Sequence, residues 1–100
     1  MNNELKNLSL DPTTYGSLIS LTGTIDKNLD NNKYVLKTDD GVFLDITIHP
    51  KVVEAYDKQD YFIDESDEVD MLGCYVNIDN KPEIVILRCL VYNEPPTFVS

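Results

Sequence analysis

Carboxylates are the groups most available for chemistry in this sequence, and they crowd one stretch. Glu54, Asp57, Asp60, Asp64, Glu65, Asp67, Glu68 and Asp70 stand there, offset by Lys58 alone and interleaved with Tyr56, Tyr61 and Phe62. Negative charge at that density, beside aromatic rings, suits docking on a basic protein surface. The expected partner-binding set is therefore Glu54, Asp57, Asp60, Tyr61, Phe62, Asp64, Glu65, Asp67 and Glu68. A small inhibitor that imitates the phosphate spacing of DNA would use carboxylates in the same way. A plain solvated loop would have the same composition. A calcium loop of the EF-hand type would not, because it needs a fixed Asp/Asn spacing and a central glycine that this stretch lacks.

Catalytic constellations are absent from the pattern. His49 is the only histidine and precedes Pro50 at the end of an apolar strand, where capping or a local hydrogen bond is its expected work. Cys74 and Cys89 alternate with apolar residues, Leu72, Val76 and Ile78 on one side and Val85, Leu87 and Val91 on the other. That alternation turns both thiols inward and nearly opposite each other, and buried thiols in apolar surroundings are poor nucleophiles. No His/Cys cluster has metal-ligand spacing. The four glycines, at 16, 23, 41 and 73, form no phosphate-cradling loop. No enzyme activity, metal or cofactor is expected.

The bulk numbers agree with a small binding protein. One hundred residues support one domain with one core. Eight Lys+Arg against eighteen Asp+Glu give a net charge of -10, a field that repels phosphate backbones and anionic lipid. No apolar run reaches the roughly 20 residues of a membrane span. The start has neither the basic nor the apolar region of a signal peptide, so a cytoplasmic location with reduced thiols is expected.

The elements that position these residues read as strands. Leu18 to Ile25 is β-branched and apolar, with Gly23 inside it where a barrel strand bends. Tyr34 to Thr38 and Val42 to Ile48 flank Asp39-Asp40-Gly41, a hairpin signal. In the second of these, Val42, Leu44, Ile46 and Ile48 share one face and Phe43, Asp45 and Thr47 the other, the sign of one buried and one solvated side. Pro50 opens a short helix over 51–58, with Val52, Val53 and Tyr56 on one face. Val69 to Ile78 and Ile84 to Tyr92 form a second hairpin around Asp79-Asn80-Lys81-Pro82. The division expected is a loose N-terminal arm over 1–16, a barrel over 17–93 and an extended tail over 94–100.

Three strands, a helix and two strands, in that order, resemble the OB fold, a mainly β, five-stranded Greek-key barrel with one short helix between strands three and four. The resemblance covers residues 17–93 and rests on element order and strand length. An SH3-like barrel or another small α+β sheet has similar elements. The resemblance implies a ligand surface on strands two and three, flanked by the loops over 29–32 and 79–82. It would show Lys33, Val35, Lys37, Phe43, Asp45 and Thr47, with Lys33, Lys37 and Phe43 the residues suited to nucleic acid. Single-strand binding wants a basic track interleaved with rings. Two lysines, one phenylalanine and an aspartate make a sparse one. The primary expectation is therefore a non-catalytic module that docks through its acidic stretch on a protein with a basic surface. Single-stranded nucleic-acid binding is the alternative.

Overall fold

The structure, a computed structural model, describes Leu5 and residues 7–92. Its strands are β1 (Leu18–Asn28), β2 (Lys33–Thr38), β3 (Phe43–Ile48), β4 (Glu68–Ile78) and β5 (Lys81–Val91), with the helix α1 (Pro50–Asp57) between β3 and β4. They close into a barrel in the order β1-β2-β3-β5-β4, with β4 paired back onto β1. Every pairing is antiparallel except that of β3 with β5. This is the OB fold, as the element order implies.

Alternation fills the barrel. Leu21 and Ile25 from β1, Leu36 from β2, Ile46 and Ile48 from β3, Val69 and Met71 from β4 and Ile86 from β5 form one buried cluster. Gly23 is where β1 pairs with both neighbours, facing Thr38 on one side and Val69 on the other. A Cβ there would stand 2.1 Å from the Lys37 carbonyl oxygen, so this bend admits only glycine.

The connections follow from residues that tolerate left-handed backbone. Asp30, Asn31 and Asn32 all take positive φ between β1 and β2. Asp79 and Asn80, with φ of 52° and 67°, make a two-residue turn of the type whose twist matches a hairpin. The turn is shorter than the four residues expected, and Lys81 and Pro82 already belong to β5, paired with Ile78 and Asn77.

Two expectations about the second hairpin are corrected. Leu87 is an extra residue in β5: Gly73 faces Ile86, while Leu72 faces Arg88. The bulge flips the face of the strand. Ile84 and Ile86 therefore point into the barrel, Val85 and Leu87 point out of it, and Cys89 and Val91 turn back in. Cys74 and Cys89 are consequently not opposite one another; Cys74 faces Val85 and Cys89 faces Met71. The outward set is not solvated either. Cys74, Val85 and Leu87 form a second buried cluster, covered by Leu8, Leu10 and Tyr15. Residues 7–16, part of the expected loose arm, are thus packed on the outer face of the hairpin. A short 3-10 turn, Pro12–Thr14, is capped by Asp11, and the Tyr15 hydroxyl donates to the Ser9 carbonyl (2.8 Å). The expected tail over 94–100 lies outside the described residues.

His49 fastens this segment to the barrel. It is fully buried, and its Nδ1 accepts from the Lys51 N–H (3.1 Å) as the N-cap of α1. Nε2 lies 2.9 Å from the Leu8 carbonyl oxygen, so the neutral ring with its proton on Nε2 satisfies both contacts. The backbone N–H of His49 donates to the Ile86 carbonyl oxygen (3.0 Å). Replacing His49 by Ala removes a cap, orphans a carbonyl and opens a hole, and should cost about 2–4 kcal/mol in urea unfolding. His49→Asn, which keeps the cap, should recover about 1 kcal/mol of that. An alanine variant as stable as the parent would contradict this account.

Candidate functional site

Cross-strand pairing builds the outer face of β2 and β3. Lys33 stands opposite Thr47, Val35 opposite Asp45 and Lys37 opposite Phe43. These residues face outward because their neighbours Tyr34, Leu36, Ile46 and Ile48 are buried in the barrel. The pattern follows the alternation expected in β3 except at two positions. Val42, expected on the buried side, precedes the strand and is exposed, and Thr47, expected on the solvated side, is buried beside β5. The Phe43 ring is left 56% exposed. The Lys37 ammonium lies 5.8 Å from the centroid of that ring, within reach of a cation–π contact. Gly41, at φ +86°, turns the chain between the two strands, and the Thr38 N–H donates to the Val42 carbonyl oxygen (2.8 Å) to close the turn beside Phe43.

A further lysine joins the face through an irregularity in β1. Ile25 pairs with Leu36 and Lys27 with Val35, so Asp26 is an extra residue and Lys27 lands on the outer side with Val35. Strict alternation would have put Lys27 on the side of Ile25, so the sequence carried no signal for it.

Beyond the face, the second hairpin makes a wall. The backbone ladder between β3 and β5 is short, Thr47 with Val85 and Ile48 with Ile86. Residues 75–78 and 81–84 run on past those pairs as a two-stranded arm. Between the arm and the face lies a groove of about 490 Å³, lined by Leu29, Lys33, Asp45, Thr47, Tyr75, Lys81, Pro82 and Glu83 among others. Leu29 and Tyr75 are half exposed there. The two loops implied by the resemblance, 29–32 and 79–82, thus contribute Leu29 at one end of the groove and Lys81 and Pro82 at the other. Tyr75 and Glu83 were not anticipated; their positions depend on the bulge and on the parallel pairing, neither of which has a sequence signature. Glu83 accepts from the Thr47 hydroxyl (3.1 Å) and lies 3.5 Å from the Lys33 ammonium.

The acidic stretch is organised differently from the single docking surface expected. Asp67 is 6% exposed and accepts from the Asp64 N–H (2.9 Å). The same carboxylate bonds the Tyr61 hydroxyl, whose acidity is lowered first by burial and then by that charge. Ile63 is buried in the barrel cluster, and Tyr61 packs edge-on against Tyr56 at 5.7 Å. Those residues hold the loop onto the barrel. Glu54 and Asp57 are on α1, Asp60, Asp64 and Glu65 are exposed in the loop, and Glu68 begins β4, opposite Thr24. Phe62 is the one ring of the stretch left open, 72% exposed.

Among the described residues, no group of three or more His, Cys, Asp and Glu side chains could hold a metal ion. No helix of the described residues is long and apolar enough to cross a membrane. Burial, with the charges of Asp67 and Asp70 adding to it, pushes the Cys89 thiol up to about 12, and burial raises Cys74 as well. At pH 8 only about one Cys89 side chain in ten thousand is then thiolate. Iodoacetamide should therefore label neither cysteine appreciably at pH 8 until urea unfolds the protein. Rapid labelling of the native chain, followed by mass spectrometry, would contradict the burial of Cys74 and the raised thiol of the partly buried Cys89.

No protein-family model matches the chain. No curated protein matches it either. Among solved structures it is similar to the dimeric N-terminal domain of the PriB protein from Thermoanaerobacter tencongensis, with a TM-score of 0.57 and 15% identity. The match covers 78% of this chain and 98% of that one. This likeness overturns the expectation of a protein-docking module. The matched architecture is a small OB barrel, and OB barrels present the outer face of strands two and three, with the flanking loops, to oligonucleotides and oligosaccharides. The acidic stretch lies outside that face and is partly consumed in holding its own loop.

Proposed function

We propose that the protein binds single-stranded nucleic acid on the outer face of β2 and β3, without catalysing a reaction. The observation that carries this reading is Phe43, an open ring on the ligand face of an OB barrel with the Lys37 ammonium 5.8 Å from its centroid. Every base has a π-face, so an open ring takes up a base of any identity, at about 1–3 kcal/mol per stacked base. An adjacent ammonium places positive charge where the phosphate of a stacked nucleotide would pass.

Charge limits the strength of this binding. The chain carries -10 overall, but half of its eight cationic residues, Lys27, Lys33, Lys37 and Lys81, lie on this face or in its groove. Salt screens distant carboxylates beyond roughly 8 Å, whereas contacts on the face itself persist. Stacking therefore outweighs phosphate contact here. Four phosphate contacts at most give a log–log salt slope of about -3 for a single strand. Duplex DNA offers no open bases to Phe43, which makes single strands the preferred form.

Fluorescence anisotropy of a labelled oligothymidylate at low salt tests the reading. The parent protein should bind it, and Phe43→Ala should weaken binding at least about fivefold. Loss of binding in Lys37→Gln should be smaller, and duplex of equal length should compete poorly. No binding by the parent at low salt, or a Phe43→Ala variant that binds as well as the parent, would overturn it.

A further inference from the structure

Lys33 sits at a boundary on this surface. On one side is the groove with Leu29, Tyr75 and Lys81. On the other is a hollow of about 720 Å³, lined by Lys33 together with Glu54, Asp57, Asp79 and Glu83. Glu83 belongs to both. Its carboxylate oxygen Oε1 takes the Thr47 hydroxyl at 3.1 Å and stands 3.5 Å from the Lys33 ammonium. Lys33 and Thr47 are the cross-strand pair at the end of the β2–β3 ladder nearest the arm, and they are a donor set that suits a phosphate oxygen. Glu83 already occupies that set.

The occupancy is built into the fold. Thr47 pairs with Val85 in the parallel contact that closes the barrel, which holds Glu83, two residues earlier, beside the Thr47 side chain. Thr47 is itself buried, and its hydroxyl donates to Glu83. The Glu83 side chain is three-quarters buried, while that of Lys33 is half exposed. The lysine is the partner free to move, and the glutamate is the fixed one.

We propose that Glu83 is an internal phosphate mimic that restrains binding at this face, by holding Lys33 and Thr47 in the arrangement a nucleic-acid phosphate would need to take over. The proposal rests on the single-strand reading above. A strand that reaches Lys33 must compete with a carboxylate that dissociates nowhere, so polyanions without a base to stack on Phe43 are rejected. Stacking supplies the gain that phosphate contact at Lys33 alone does not. Selectivity for single strands over other polyanions follows on a protein whose other charges are mostly negative.

The test uses the full chain and labelled oligothymidylate, with Glu83→Gln, Lys33→Gln and their double variant. Gln keeps an oxygen for the Thr47 hydroxyl, and thermal melting confirms that each variant is folded. Glu83→Gln should tighten binding about two- to fivefold at low salt and steepen the log–log salt slope by about 0.7, one additional phosphate contact on a single strand. The gain should vanish in the Lys33→Gln background. Glu65→Gln removes the same unit of charge from the exposed loop and should change neither quantity. If Glu83→Gln and Glu65→Gln behave alike, or if the gain survives without Lys33, the mimic is overturned while binding itself stands. If the parent and every variant fail to bind, the single-strand reading falls and the mimic with it.

Discussion

Two residue pairs close this barrel. Thr47 with Val85 and Ile48 with Ile86 are the whole of the parallel backbone ladder between β3 and β5, and the functional geometry hangs on them. They set the angle at which the β4–β5 arm leaves the barrel, and so make the groove beside β2 and β3. They bring Glu83 to Thr47 and, through it, to Lys33. The residue after β3, His49, extends the contact by donating its N–H to the Ile86 carbonyl oxygen, then caps α1 with one ring nitrogen and ties down the Leu8 carbonyl with the other. Parallel pairing of so few residues is weak by itself. It is supported on both sides of the hairpin, by the barrel core within and by Leu8, Leu10 and Tyr15 without.

For the single-strand binding proposed above, the surface that results is an uncommon one, since affinity in nucleic-acid-binding proteins ordinarily comes from the phosphate backbone. This chain inverts the ranking. Its lysines are few and one of them is paired internally, whereas Phe43 is open and Tyr75 and Leu29 line the groove beside it. On the proposed reading, contacts to bases would therefore dominate contacts to phosphate. Such a surface discriminates by the availability of unpaired bases, because a polyanion as such meets a field of the wrong sign.

Much of this was legible in the sequence, and the failures have identifiable causes. Alternation in β3 assigned Phe43, Asp45 and Thr47 to the outer face, because that sheet has one dry and one wet side. Gly23 marked the bend of β1, and Asp79-Asn80 marked the hairpin. The faces of β4 and β5 were misread because both are apolar: residues 8–15 cover the outer one, and the extra residue at Leu87 swaps the two halfway along. Lys27 was hidden by the comparable irregularity at Asp26. The density of carboxylates between residues 54 and 70 pointed to a docking surface, yet composition does not reveal that Asp67 and Tyr61 are engaged with each other and with their own loop. Long-range pairing, such as that which places Glu83 against Lys33, has no local sequence signature at all.

The most direct test of the central claim is an NMR titration of the isotopically labelled protein with an oligothymidylate, followed through its backbone amide shifts. The account predicts that the largest changes fall on Lys33–Thr38, on Phe43–Ile48 and on Leu29, Tyr75 and Lys81 around the groove, with the 54–70 stretch little affected. Shifts confined to that acidic stretch, or none at all at low salt, would contradict it.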